Sequence, residues 1–137
     1  MNMLGLAFIA ICLYFTVGHM RYLNKSGKPS REAIIRELDD VIAAFPGEKS
    51  SAVDVFDKQV VYISARVQMK RVNDGLPADY SRKRMEARSW RKVPVAYGDA
   101  ERYCKGDLVA EVTPLESGDS YDLQVNWGDA DAVCSSK

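Results

Sequence analysis

The sequence predicts an α+β protein with an N-terminal transmembrane helix, followed by one amphipathic helix packed on a small antiparallel sheet of three to four strands. Three observations lead there. Residues 3–17 are almost wholly apolar, residues 31–45 repeat apolar side chains at helical spacing, and residues 61–70 alternate apolar and polar side chains strictly. With 137 residues, 47% of them hydrophobic and 28% charged, the chain suits one ordinary domain and excludes a disordered tail.

No charged side chain precedes Arg21, and twenty such residues rise about 30 Å as a helix, the thickness of a hydrocarbon core. A buried core helix is rarely apolar on every face. A cleaved signal peptide calls for a basic leading stretch and a better cleavage site than Thr16-Val17-Gly18. Residues 1–21 therefore read as an uncleaved single-pass anchor, meeting the membrane through residues 3–20, with a signal peptide as the alternative. Two arguments about orientation disagree. Arg21, Lys25, Lys28 and Arg31 follow the span, which by the positive-inside rule puts the body in the cytoplasm. Cys104 and Cys134 form an even pair in the body, and a disulfide between them would put it on the oxidising, extracytoplasmic side. The second side is slightly favoured.

Residues 22–29 have the Gly, Pro and Ser content of a linker, and residues 30–137 form the α+β domain. Ser30 is a good N-cap and Glu32 sits in the first helical turn, where negative charge is favoured. Ile34, Leu38, Val41 and Phe45 form the apolar stripe and Pro46-Gly47 ends it. Residues 48–51 read as a polar loop. In the strand that follows, Val61, Ile63, Ala65, Val67 and Met69 alternate with polar neighbours until Asn73-Asp74-Gly75 and Pro77 break it. Residues 84–97 alternate less cleanly and carry Pro94, so they read as an edge strand or an irregular connection. Leu108, Ala110 and Val112 answer Tyr121, Leu123, Val125 and Trp127 across a turn-rich 116–120, which predicts a β-hairpin.

The only histidine is His19, at the membrane boundary, so the body has no residues for histidine triads, cysteine–histidine dyads or imidazole zinc sites. No cofactor or metal site is read elsewhere. Gly47-Glu48-Lys49-Ser50 echoes the end of a phosphate loop but follows a helix and lacks the upstream glycine, so it reads as a solvated turn. Ser89-Trp90-Arg91-Lys92 fits the Ser-x-x-Lys spacing of some acyl enzymes without their supporting motifs. Asp129-Ala130-Asp131 offers too few oxygens for calcium and reads as a polar turn.

The charge pattern carries the remaining signal. Nineteen basic and nineteen acidic side chains cancel over the chain, which argues against a nucleic-acid partner. Between residues 82 and 92 there are six basic side chains against Glu86 alone, while residues 107–137 carry seven acids against Lys137. Opposite charge on neighbouring strands would neutralise these two stretches.

The expected function is a membrane-anchored, non-enzymatic protein-binding module of the cell envelope, of inhibitor, immunity or accessory-subunit type. Arg84, Arg88, Trp90 and Arg91 are the candidate partner-binding residues, because Trp and Arg dominate interfaces. One alternative is a membrane-proximal binder of anionic lipid or phosphate through the basic 82–92 stretch. A second is a small histidine-free enzyme working with carboxylates or with Ser89 and Lys92. A pilin-like filament subunit shares the layout but not the basic leader or the glutamate within the apolar run.

Overall fold

The computed structural model describes residues 27–58, 61–72, 75–95 and 98–134, together with Ile9 and Cys12. Helix α1 (Arg31–Ile42) starts where Ser30 Oγ accepts a hydrogen bond from the Ala33 N–H at 3.1 Å. The Glu32 carboxyl is held below its usual range by its own backbone hydrogen bond and by Ser30. Ile34, Leu38 and Val41 are buried, as the spacing predicts. The regular helix stops three residues before the expected Phe45. The Ala44 and Phe45 N–H groups bond back to Val41 and Ile42, a tightened last turn, because the residue before Pro46 is disfavoured in helical geometry.

The rest of the body is β1 (Glu48–Lys49), β2 (Asp54–Lys58), β3 (Tyr62–Lys70), α2 (Tyr80–Glu86), β4 (Arg91–Val93), β5 (Glu101–Lys105), β6 (Leu108–Pro114), β7 (Ser120–Trp127) and α3 (Ala130–Cys134). The strands form one seven-stranded antiparallel sheet in the order β1-β3-β7-β6-β5-β4, with β2 on the same edge of β3 as β1. The fold is therefore α+β, with about twice the expected number of strands. The predicted 48–51 loop contains β1, and the stretch read as an edge strand or irregular connection holds the end of α2 and the edge strand β4. The predicted 108–127 hairpin is present, Ala110 facing Val125 and Val112 facing Leu123.

Residues opposite one another across a ladder share a face. On the first face Ile63, Ala65, Val67 and Met69 of β3 stand beside Trp127, Val125, Leu123 and Tyr121 of β7, and α1 packs over these two strands to make the core. The second face is mostly polar, with Arg66 paired to Asp122, Arg102 Nε to Glu111 at 2.7 Å and Gln124 donating to the Tyr62 hydroxyl at 3.0 Å. Cys104 lies on this second face. Its disulfide to Cys134, with Cα atoms 6.0 Å apart, holds α3 against the sheet beside β6.

Two turns set the remaining geometry. After α2, Trp90 N–H reaches the Met85 carbonyl and Ser89 N–H the Glu86 carbonyl, both at 3.0 Å, with Ser89 at φ 67°. This is a Schellman turn whose left-handed position holds serine instead of the usual glycine, and it folds buried Trp90 onto buried Met85. After β7, Gly128 has φ 117°, and a Cβ there would lie 2.5 Å from the Val61 carbonyl oxygen. Only glycine allows the chain to pass the base of the β2–β3 hairpin so closely.

The predicted anchor lies outside the described residues except for Ile9 and Cys12. Among the described residues no helix is long and apolar enough to cross a membrane.

Candidate functional site

Twelve residues of α1 rise about 18 Å, whereas the nine residues of β3 extend about 30 Å, so the helix cannot cover the whole first face. A groove of about 600 Å³ lies where it runs out, at the Lys70 end of the sheet. Phe45 and Pro46 bound it on the helix side, Tyr121, Val112 and Pro114 form its floor, and residues 71–72 and 75–82 make the opposite wall. The size is that of ordinary ligand and peptide pockets.

The floor is held rigidly. Tyr121 donates its hydroxyl to the Pro46 carbonyl at 2.6 Å, and the Phe45 ring lies 6.2 Å from the Tyr121 ring and 6.4 Å from the Tyr103 ring. Burial pushes the Tyr121 phenol above its ordinary pKa, with the nearby Arg71 charge opposing. Burial does the same to Tyr103, helped by its hydrogen bond to Glu101 and by the charge of that carboxylate. Spectrophotometric titration should show both phenols still protonated above pH 10.0, their ordinary value, so the absorbance lost in Tyr103→Phe and Tyr121→Phe chains should come from the late alkaline step. Since the folded pKa is the higher one, the stability these phenols contribute is complete below pH 10.0 and declines as pH rises towards the folded value. Loss of absorbance centred at pH 10 in a folded variant would contradict the assignment.

Most of the groove's charges are engaged. Glu101 takes Lys92 at 3.2 Å on one oxygen and the Tyr103 hydroxyl at 2.8 Å on the other. Asp79 takes Lys83 at 2.8 Å and Arg82 at 3.9 Å, and the Lys83 hydrogen bond holds its carboxyl below the usual range. Arg71 differs: its guanidinium lies 5.8 Å from the Tyr121 ring centroid, and no carboxylate among the described residues pairs with it. Val72 and Leu76 at the rim are 43% and 38% exposed. Half-buried Phe45 and Tyr80, a guanidinium with no carboxylate partner among the described residues and two exposed aliphatic side chains suit binding an extended segment.

The sequence-selected residues lie elsewhere. Arg84 donates to the Ala43 carbonyl at 2.9 Å and to the Tyr80 hydroxyl at 3.0 Å, so it ties α2 to the end of α1. Arg88 pairs with Asp40 at 3.3 Å, and Arg91 donates to the Cys134 carbonyl at 3.3 Å. Trp90 is 1% exposed and belongs to the core, so it offers no surface to a partner. The two charged stretches do not neutralise one another as expected. Arg82, Lys83, Arg88 and Lys92 pair with Asp79, Asp40 and Glu101, while Glu111 and Asp122 pair with Arg102 and Arg66. The groove was not legible in the sequence because its parts come from Phe45, residues 71–72 and 75–82, Lys92, Asp99, Glu101, Val112, Pro114 and Tyr121, which only the strand order brings together. Among the described residues no group of His, Cys, Asp and Glu is placed to hold a metal ion. Comparison with known proteins finds no matching family model, no matching curated sequence and no matching solved structure.

Proposed function

We propose that this chain is a non-enzymatic protein-binding module of the cell envelope, tethered by its apolar residues 3–20, and that the groove between Phe45 and the wall of residues 75–82 receives the partner. The carrying observation is the groove itself: half-buried Phe45 and Tyr80 and exposed Val72 and Leu76 surround Arg71, which pairs with no carboxylate among the described residues. The Cys104–Cys134 disulfide supports an extracytoplasmic body, because such bonds persist in oxidising compartments. The lipid or phosphate reading of residues 82–92 finds less support, since each of the six basic side chains there has a partner within the fold.

Site-specific photo-crosslinking in the native membrane tests this. A crosslinker at Val72 or Leu76 should give an adduct of one defined size, and Arg71→Glu should reduce its yield at least tenfold, as loss of about 1.4 kcal/mol or more of binding energy implies. A crosslinker at the exposed Thr113, on the second face, should give none. Adducts at Thr113 alone, or adducts indifferent to Arg71→Glu, would remove the groove from the proposal.

A further inference from the structure

We infer that the β2–β3 hairpin end of the sheet is a bilayer-contact surface, which seats the body against the lipid interface beside its own tether. The inference rests on the tether reading above and adds which part of the body meets the membrane. Lys28 Nζ is paired with Asp57, so the chain preceding α1 is pinned to β2 at the hairpin end. Seven residues, 21–27, separate that pin from the apolar segment, and a fully extended chain of this length spans at most about 25 Å. Whatever surface surrounds Asp57 is therefore kept close to any bilayer that holds residues 3–20.

That surface has interfacial chemistry. Phe56 is 58% exposed and Val61 is 55% exposed. The Tyr62 ring lies 6.2 Å from the Phe56 ring, and half-buried Trp127 faces Ile63, the next residue of β3. Aromatic side chains concentrate at the headgroup level, and long lysines such as Lys28 and Lys58 can leave their stems in apolar surroundings while their charges reach the phosphates. A second copy of the chain fits less well. Along this edge β2 is five residues long and carries Asp54, Asp57 and Lys58, the kind of charged, short edge that resists strand-to-strand pairing. The groove lies at the other end of the sheet, so lipid contact here leaves it open to the aqueous side.

The test uses the full chain in phosphatidylcholine vesicles containing lipids with a shallow nitroxide quencher. Phe56→Trp and Val72→Trp chains are compared after subtracting the signal of the parent chain, which carries Trp90 and Trp127. The added tryptophan at 56 is expected to shift to the blue on incorporation and to be quenched several-fold more than the one at 72. Equal quenching at both positions overturns the inference, as does a blue shift at 56 that disappears when the protein-to-lipid ratio is lowered, which would indicate self-association. Chain that floats with the vesicles but shows no quenching at 56 refutes the contact surface and leaves the tether standing. Chain that fails to float refutes both.

Discussion

Trp90→Ala is expected to destabilise the fold by about 3–5 kcal/mol, the usual cost of removing a large buried aromatic side chain. Trp90 is 1% exposed, and the turn after α2 presses it against Met85, itself fully buried. Lys105 Nζ lies 5.5 Å from its ring centroid and reaches on to Glu37 at 2.9 Å and Asp40 at 3.8 Å. The indole thus sits under the contact that links β5 to α1, and its removal leaves a cavity between three elements. For a body of this size the melting temperature should fall by about 10 °C or more. The Trp90 Nε1 atom has no hydrogen-bond partner among the described residues, so Trp90→Phe, which discards that buried donor, should cost less than the alanine variant. Denaturant unfolding monitored by circular dichroism measures both. A Trp90→Ala chain of unchanged stability that no longer captures its partner would restore the residue to the interface that its type suggested.

The other large effect belongs to the disulfide. Cys104 and Cys134 are separated by 30 positions, and opening a loop of that length releases enough unfolded-state entropy to cost about 3–4 kcal/mol. Cys104→Ala and Cys134→Ala, alone or together, should therefore show the same lowered midpoint, and reduction of the parent chain should reproduce it. The loss should be felt first in α3 and in its cover over Val109, which is fully buried on the otherwise polar second face. The bond also reports topology. In intact cells a membrane-impermeant maleimide should label Cys104 and Cys134 only after external reduction. Free thiols reached only after lysis would place the body in the cytoplasm and remove the main support for an envelope partner.

The elements that were legible in the sequence are those whose burial follows from one period. Ser30 with Ile34, Leu38 and Val41 specifies α1, and Ile63 to Met69 specifies β3, because each presents a single apolar face to the same core. The elements that were not legible owe their burial to several neighbours. Helix α2 is Tyr-Ser-Arg-Lys-Arg-Met-Glu, in which only Met85 is buried, so no apolar stripe marks it. In β5 the adjacent residues Tyr103 and Cys104 are both buried, one under α1 and the other under the disulfide-held α3, which erases the alternation. Strand β2 is mostly exposed and, among the described residues, pairs with β3 alone. The candidate site was invisible for the same reason. Arginine and tryptophan mark interfaces when they are at the surface, and here Arg84, Arg88 and Trp90 serve the packing of α2, while Tyr121 looked like one more inward residue of a strand.

The strand order also sets a timetable for folding. Strand β3 is an interior strand of the finished sheet, yet its partner on the inner side is β7, so residue 63 must wait for residue 127. The intervening β4, β5 and β6 build outward from the far edge and return, which makes closure of the sheet a late, non-local event. At about 5–20 residues per second, synthesis leaves the apolar edge of β3 without its partner for several seconds. An open apolar edge is a template for aggregation. A chain interrupted anywhere from residue 71 to residue 126 would keep that edge and lack Cys134, so truncated products should accumulate as aggregates, and the full chain should depend on whatever shields β3 until β7 arrives.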